Sequence, residues 1–223
     1  HVRGVYNVMK RVKDNYPDVP MMLCSGGGAR CDYEALKYFT EFWCSDNTDP
    51  FERIYIQWNM SKFFPVKAMA SHVTDWNKKA SMKFRVDVAS MCKLGFDIDV
   101  HNLSDADFNL CKQAVANYNR LKPVILDGEM YRLVSPYEGN HAAVNYVSED
   151  KTHAVLFAYD LHPRYKEPLF NVKLQGLDPS LVYSVKEINM PEGQKAETRT
   201  YTGDYLMKIG LPVLTASEGT SHV

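Results

Sequence analysis

The sequence predicts an α/β segment followed by an all-β segment. Three observations carry this. Residues 1–64 alternate helical and strand patterns, the first half ends on a long capped helical pattern, and the texture after about residue 124 turns to short, evenly spaced apolar runs.

Val2, Val5, Tyr6, Met9 and Val12 recur at steps of three and four, the stripe of an amphipathic helix. Tyr16-Pro17-Asp18-Val19-Pro20 stops it. Met21-Met22-Leu23-Cys24 reads as a short buried strand and Ser25-Gly26-Gly27-Gly28 as a loop. Asp32 can cap a short helix over Tyr33 to Phe39, and Phe42-Trp43-Cys44 reads as a second strand. Asp49 is placed as an N-cap, Pro50 as the first helical residue and Glu52 as the far half of a capping box, opening a helix to about Phe64. Strands joined by helical crossovers run parallel, and parallel α/β folds keep their chemistry beyond the carboxyl ends of the strands. Cys24 and Asp46 both fall at such ends.

Residues 65–82, with Trp76 and three lysines, read as irregular. Lys83 to Lys93 reads as helix. A further helix is capped by Ser104 and ended by Pro123. Strands are then expected over 131–134, 142–147, 153–159, 169–174, 182–185 and 198–201, separated by Gly, Pro, Asp and Asn turns. This is the pattern of an antiparallel sandwich.

Composition narrows the function classes. The 223 residues are 45% hydrophobic and 24% charged, the usual balance of a globular protein that buries a core. Net charge is −1, without the basic excess of a nucleic-acid binder. No apolar run approaches the roughly 20 residues of a membrane helix. Neither nucleic acid nor membrane is expected as a partner. Five cysteines, an odd number with no C-x-x-C pair, read as free and mostly buried thiols. They point to a reducing compartment, and a cytoplasmic protein is expected. The abrupt ends, His1-Val2-Arg3 and Ser221-His222-Val223, are read as those of a piece of a longer protein.

Several segments carry candidate chemistry. The loop Cys24 to Arg30 lies between a strand and a helix, where a phosphate can be cradled, but no Gly-Lys-Ser/Thr follows and G-x-G-x-x-G is absent. The glycines also suit close approach of backbone to a small ligand, or a plain structural turn. Asp46 can serve as general acid or base, as a metal ligand or as a cap, and the better cap position of Asp49 frees it. Glu52 and Arg53 read as helix-terminus and packing residues. His72 and His101 have no ligand-like spacing, so no metal site is expected. His141, His153 and His162 read as surface or edge residues.

The run Met21-Met22-Leu23-Cys24-Ser25-Gly26-Gly27-Gly28-Ala29-Arg30, followed by Trp43-Cys44-Ser45-Asp46-Asn47-Thr48-Asp49-Pro50-Phe51-Glu52-Arg53, resembles the bacterial α-galactosidases of glycoside hydrolase family 36. Ala70-Ser71-His72-Val73, Tyr131-Arg132-Leu133, Val147-Ser148-Glu149-Asp150-Lys151 and Leu174-Gln175-Gly176-Leu177-Asp178-Pro179 extend the likeness along the chain. The resemblance implies that residues 1–123 are the C-terminal portion of a catalytic (β/α)8 TIM barrel and that residues 124–223 are a C-terminal antiparallel β-sandwich domain.

It also implies a retaining enzyme acting on a terminal α-D-galactosyl residue through two aspartates. Asp46 matches the acid/base of a Trp-x-Ser-Asp motif. Cys24 matches a cysteine lining the galactose pocket, with Gly27 in the loop against the sugar. The nucleophile of such enzymes lies in a Lys-Trp-Asp motif, which does not occur in these residues. An α-galactoside is the expected substrate, no cofactor is implied, and a homo-oligomer is expected. Ala29 stands where many members carry another glycine, and Cys31 where they usually carry an aromatic residue. The choice between galactose and N-acetylgalactosamine is therefore open. An α-N-acetylgalactosaminidase, a galactosyl transferase of the same fold and a non-catalytic sugar-binding fragment are the alternatives.

Overall fold

The computed structural model describes residues 1–76, 79–215 and 217–223. Asn77 and Lys78, inside the stretch read as irregular, lie outside the described residues, as does Ala216. The first half holds helix α1 (Val2–Asn15), strands β1 (Met22–Leu23) and β2 (Glu41–Trp43), helix α2 (Pro50–Met60), strand β3 (Met69–Thr74), helix α3 (Met82–Ala89), strand β4 (Lys93–Asp97) and helix α4 (Asp105–Asp127). The four strands pair in the order β1-β2-β3-β4, all parallel. This is an arc of a (β/α)8 barrel, and it sets the segments after β1, β2, β3 and β4 along one rim.

Local chemistry explains the boundaries. Asp49 caps α2 by accepting from the N–H of Phe51 at 2.9 Å and of Glu52 at 3.4 Å. The expected reciprocal bond from Glu52 is replaced, because Asn47 Oδ1 takes the Asp49 N–H at 3.1 Å. The helix expected over Tyr33 to Phe39 shrinks to the single 3-10 turn Ala35–Lys37, whose N-cap is Glu34 with no side-chain cap bond; Asp32 Oδ1 accepts the Ala35 N–H at 2.8 Å from outside that cap position. Ser81 caps α3 and Ser104 caps α4.

Two expectations fail here for physical reasons. β3 falls in the stretch read as irregular, and β4 starts on the last residue of the stretch read as helix and runs on through residues that carry no pattern. Their residues Ser71, His72 and Gly95 weaken the strand pattern, and the sheet supplies what propensity does not. Helix α4 runs through Pro123 to Asp127. An interior proline costs about 3 kcal/mol. Val124 and Ile125 are buried just beyond it, and each such side chain returns about 1.5–3 kcal/mol. Helix α1 buries none of its residues, and only Tyr6 and Met9 pack, against a cluster of Leu23, Phe42 and Phe64.

The second half holds β5 (Glu129–Val134), β6 (His141–Val147), β7 (Ala154–Asp160), β8 (Val182–Val185), β9 (Arg199–Thr202), helix α5 (Gly203–Lys208) and β10 (Thr220–His222). A four-stranded antiparallel sheet, β10-β7-β6-β5, faces a ribbon of β8 and β9, making the sandwich. The expected strand at 169–174 reduces to one bridge, Val172 to Leu211.

Alternation along β7 sends Val155, Phe157 and Tyr159 to one side and Leu156 and Ala158 to the other. The first side joins Ile54, Trp58, Met69, Phe84 and Met91 in the main core, so both faces of the sheet are covered. Polar pins reinforce the junction. Tyr146 donates to the Met91 carbonyl at 2.8 Å, and Tyr159 donates to the Asp87 carbonyl at 3.2 Å. Asp87 itself is fully buried on α3. It accepts from Lys83 (2.8 Å), Asn189 (2.7 Å) and Ser221 (2.7 Å).

His141 corrects the reading of that residue as surface or edge. It is 2% exposed, with Nδ1 2.8 Å from the buried Asp160. Thr215 and Thr220 donate to the other oxygen of the same carboxylate. The partners lie 19 to 60 residues apart in sequence, which no local pattern reveals. His153 and His162 are exposed, as read.

Candidate active site

The loop after β1 lies directly against the segment after β2. Gly26 and Gly27 have φ of +58° and +69°, the left-handed region that disfavours side chains. A Cβ on Gly27 would stand 2.9 Å from Ser45 Cα and 3.1 Å from the Asp46 nitrogen, and one on Gly28 would stand 2.6 Å from the Cys44 carbonyl oxygen. Gly27 is therefore buried against the backbone that carries Asp46. Cys24, where the loop begins, is exposed. Cys31, half-buried near Cys44 and Cys24, has its thiol pushed up to about 11, first by burial and then by those neighbours. Cys44 and Cys92 are buried and likewise raised by burial.

Asp46 is exposed at the rim, and its Oδ1 accepts the indole N–H of Trp43 at 2.9 Å. Trp43 is fixed from two sides. His72 on β3 meets its ring edge-on, with centroids 4.8 Å apart and planes at 63°. The Arg53 guanidinium lies 5.6 Å from its ring centroid. His72 pairs across the sheet with Gly95, and a side chain at Gly95 would collide with the imidazole. Burial holds the His72 pKa below its usual range.

Arg53 is 1% exposed. It donates to the Ser45 carbonyl at 3.3 Å, the Ala70 carbonyl at 2.7 Å and Gln57 Oε1 at 3.2 Å. Burial lowers its pKa. It is a packing residue, as its sequence position suggested, and it ties the end of β2 to β3.

The structure thus brings buried Gly27 against the backbone of Ser45 and exposed Asp46, with Cys24 exposed at the start of the loop. His72 and Gly95 complete the support of Trp43, and sequence patterning gave no sign of that role. Among the described residues no group of three or more His, Cys, Asp or Glu side chains is arranged to hold a metal ion, and no helix is long and apolar enough to cross a membrane. A cavity of about 650 Å³ lies elsewhere, between β7 and the β8–β9 ribbon. Leucine and valine dominate its walls and Glu187 is the one carboxylate in its lining, so it lacks the pair that glycoside chemistry needs.

Comparisons with known proteins agree with this layout. The Melibiase family model matches residues 1–128, and the Glycosyl hydrolase family 36 C-terminal domain matches residues 141–223. The chain is 33% identical over 216 residues to α-galactosidase AgaA of Geobacillus stearothermophilus, covering 95% of this chain and 28% of that relative. It is 36% identical over 217 residues to a probable α-galactosidase C of Aspergillus terreus, with 95% and 28% covered. Among solved structures, the galactosidase domain of the α-galactosidase-sucrose kinase AgaSK superposes with a TM-score of 0.87 at 32% identity, covering 98% of this chain and 30% of that one. A Geobacillus stearothermophilus AgaA variant in complex with raffinose gives the same score, identity and coverage. The chain spans under a third of the length of the curated relatives it matches. With two family models along its length and relatives above 30% identity across nearly all of it, the chain belongs to the melibiase family, glycoside hydrolase family 36.

Proposed function

We propose that this chain is part of a retaining α-galactosidase acting on galacto-oligosaccharides, with Asp46 as its acid/base and the nucleophile on a segment outside these residues. The observation that carries the reading is Asp46 itself. It is an exposed carboxylate at the carboxyl end of a parallel strand, held by Trp43 and backed by the Gly27 loop. In this reading the barrel portion continues past the expected boundary at 123 to the end of α4 at Asp127, and the sandwich follows it.

A retaining glycosidase sets two carboxyl groups about 5–5.5 Å apart around the anomeric carbon. One attacks that carbon while the other protonates the departing oxygen. After the glycosyl-enzyme has formed, the second takes a proton from water, and the water displaces the nucleophile. Asp46 fills this second role. Cys24 and Gly27 form the floor under the sugar. Gly27 lets the backbone approach closely, and Cys24 presents a small side chain. Relatives crystallised with raffinose and stachyose support an α-galactoside as the substrate. The five free cysteines favour a cytoplasmic location, and a homo-oligomer remains part of the proposal.

The test is Asp46→Asn in the full-length protein. General acid catalysis contributes about 10²- to 10⁴-fold. The variant is expected to lose at least about 100-fold in kcat/KM on a galactoside with a poor leaving group, and far less on a nitrophenyl galactoside. Near-wild-type turnover of both substrates rejects the assignment.

A further inference from the structure

We infer that Trp43 is a positioning residue for Asp46, selecting which carboxylate oxygen hands over the proton. The inference rests on the reading of Asp46 as acid/base and deepens it. An indole nitrogen can only donate. Its N–H points at Oδ1 from 2.9 Å, so that oxygen accepts in both protonation states of the side chain. The exchangeable proton is then carried by Oδ2. A carboxyl group on an exposed loop would otherwise rotate and offer either oxygen, so this single bond converts a mobile acid into an oriented one.

The indole is not free to follow Asp46. His72 abuts its edge from β3, where Gly95 leaves room for the imidazole. Arg53 lies by its ring and also grips the carbonyl of Ser45, the residue just before Asp46. One buried cation therefore touches both the donor ring and the backbone that carries the acceptor. The Gly27 loop closes the backbone from the other side. Three strands and one helix converge on the direction of one O–H bond.

The experiment replaces Trp43 in the full-length enzyme with benzothienylalanine, which has the shape of tryptophan with sulfur in place of the N–H. Trp43→Phe serves as a second variant. Values of kcat/KM are compared for a galacto-oligosaccharide and a nitrophenyl galactoside, because only the first needs a well-aimed proton. Misplacing a reacting group by about 1 Å costs about 100-fold.

The expected result is a loss of about 10- to 100-fold on the oligosaccharide and under about 3-fold on the activated substrate, with a galactose inhibition constant within about 2-fold of wild type. A ring that merely packs would leave the isostere at wild-type values on both substrates, and that outcome overturns the inference. So does an equal loss on both. The Asp46→Asn comparison separates the two claims. If that variant discriminates between leaving groups and the isostere does not, the positioning role alone falls. If Asp46→Asn fails to discriminate, the acid/base reading falls first.

Discussion

Gly26 and Gly27 form a natural matched pair. Both lie in the left-handed region, at φ of +58° and +69°. A Cβ on Gly26 would meet nothing within 4 Å, whereas one on Gly27 would meet Ser45 Cα at 2.9 Å. Alanine in the left-handed region costs about 1–2 kcal/mol. Forcing a methyl group into a packed contact adds about 1–3 kcal/mol. Gly26→Ala should therefore lose about 1–2 kcal/mol of stability, and Gly27→Ala about 2–5 kcal/mol. The neighbour that must yield is main chain carrying Asp46, so Gly27→Ala should also reduce galactoside turnover while Gly26→Ala leaves it near wild type. Urea unfolding at constant m-value gives the stabilities, and kcat/KM gives the turnover. Equal stability losses together with equal turnover in the two variants would refute the claim that the loop positions the acid.

Two further outcomes are expected. Cys24→Trp fills the floor of the proposed sugar site from an exposed position, so stability should stay within about 0.5 kcal/mol while galactoside binding measured by calorimetry disappears; unchanged affinity counts against Cys24. Lys83→Met strips the cation from buried Asp87 and should cost about 3–5 kcal/mol at neutral pH. Burial pushes the Asp87 carboxyl up, and Lys83 pulls it part of the way back. A native pKa above the unfolded one of about 3.9 gives a contribution that is intact below that value and lost as pH rises through the native one. Removing Lys83 deepens the loss, so the deficit against wild type should grow from acid to neutral pH. Urea midpoints of both proteins at steps between these limits check this, and a deficit independent of pH would contradict it.

What the sequence discloses about this molecule follows the range of the forces involved. Asp49, Ser81 and Ser104 act within three residues, and two of these caps, Asp49 and Ser104, are legible at sight. The antiparallel strands β5, β6 and β7 are legible because their apolar runs are long and bounded by turns. Strands β3 and β4 are not, since Ser71, His72 and Gly95 suit neighbouring strands rather than a local pattern. Strand β10 and helix α5 are short enough to hide in loop-like sequence. The position of Asp46 follows from the strand-end rule, but its support does not. The Trp43–His72 contact spans 29 residues and the Asp160 cluster spans up to 60, and only the folded chain closes such distances.

Helix α4 has a consequence for how this protein is inherited. It carries the last turns of the α/β half straight into the interior shared with β6 and β7, and Val124 and Ile125 sit where the two meet. A protease nick or a recombination joint placed there would split one hydrophobic interior instead of releasing two finished modules. The sandwich is in that sense no detachable appendage. A lineage that exchanged it would have to rebuild the wall behind α3, and with it the footing of the rim where the sugar is proposed to lie.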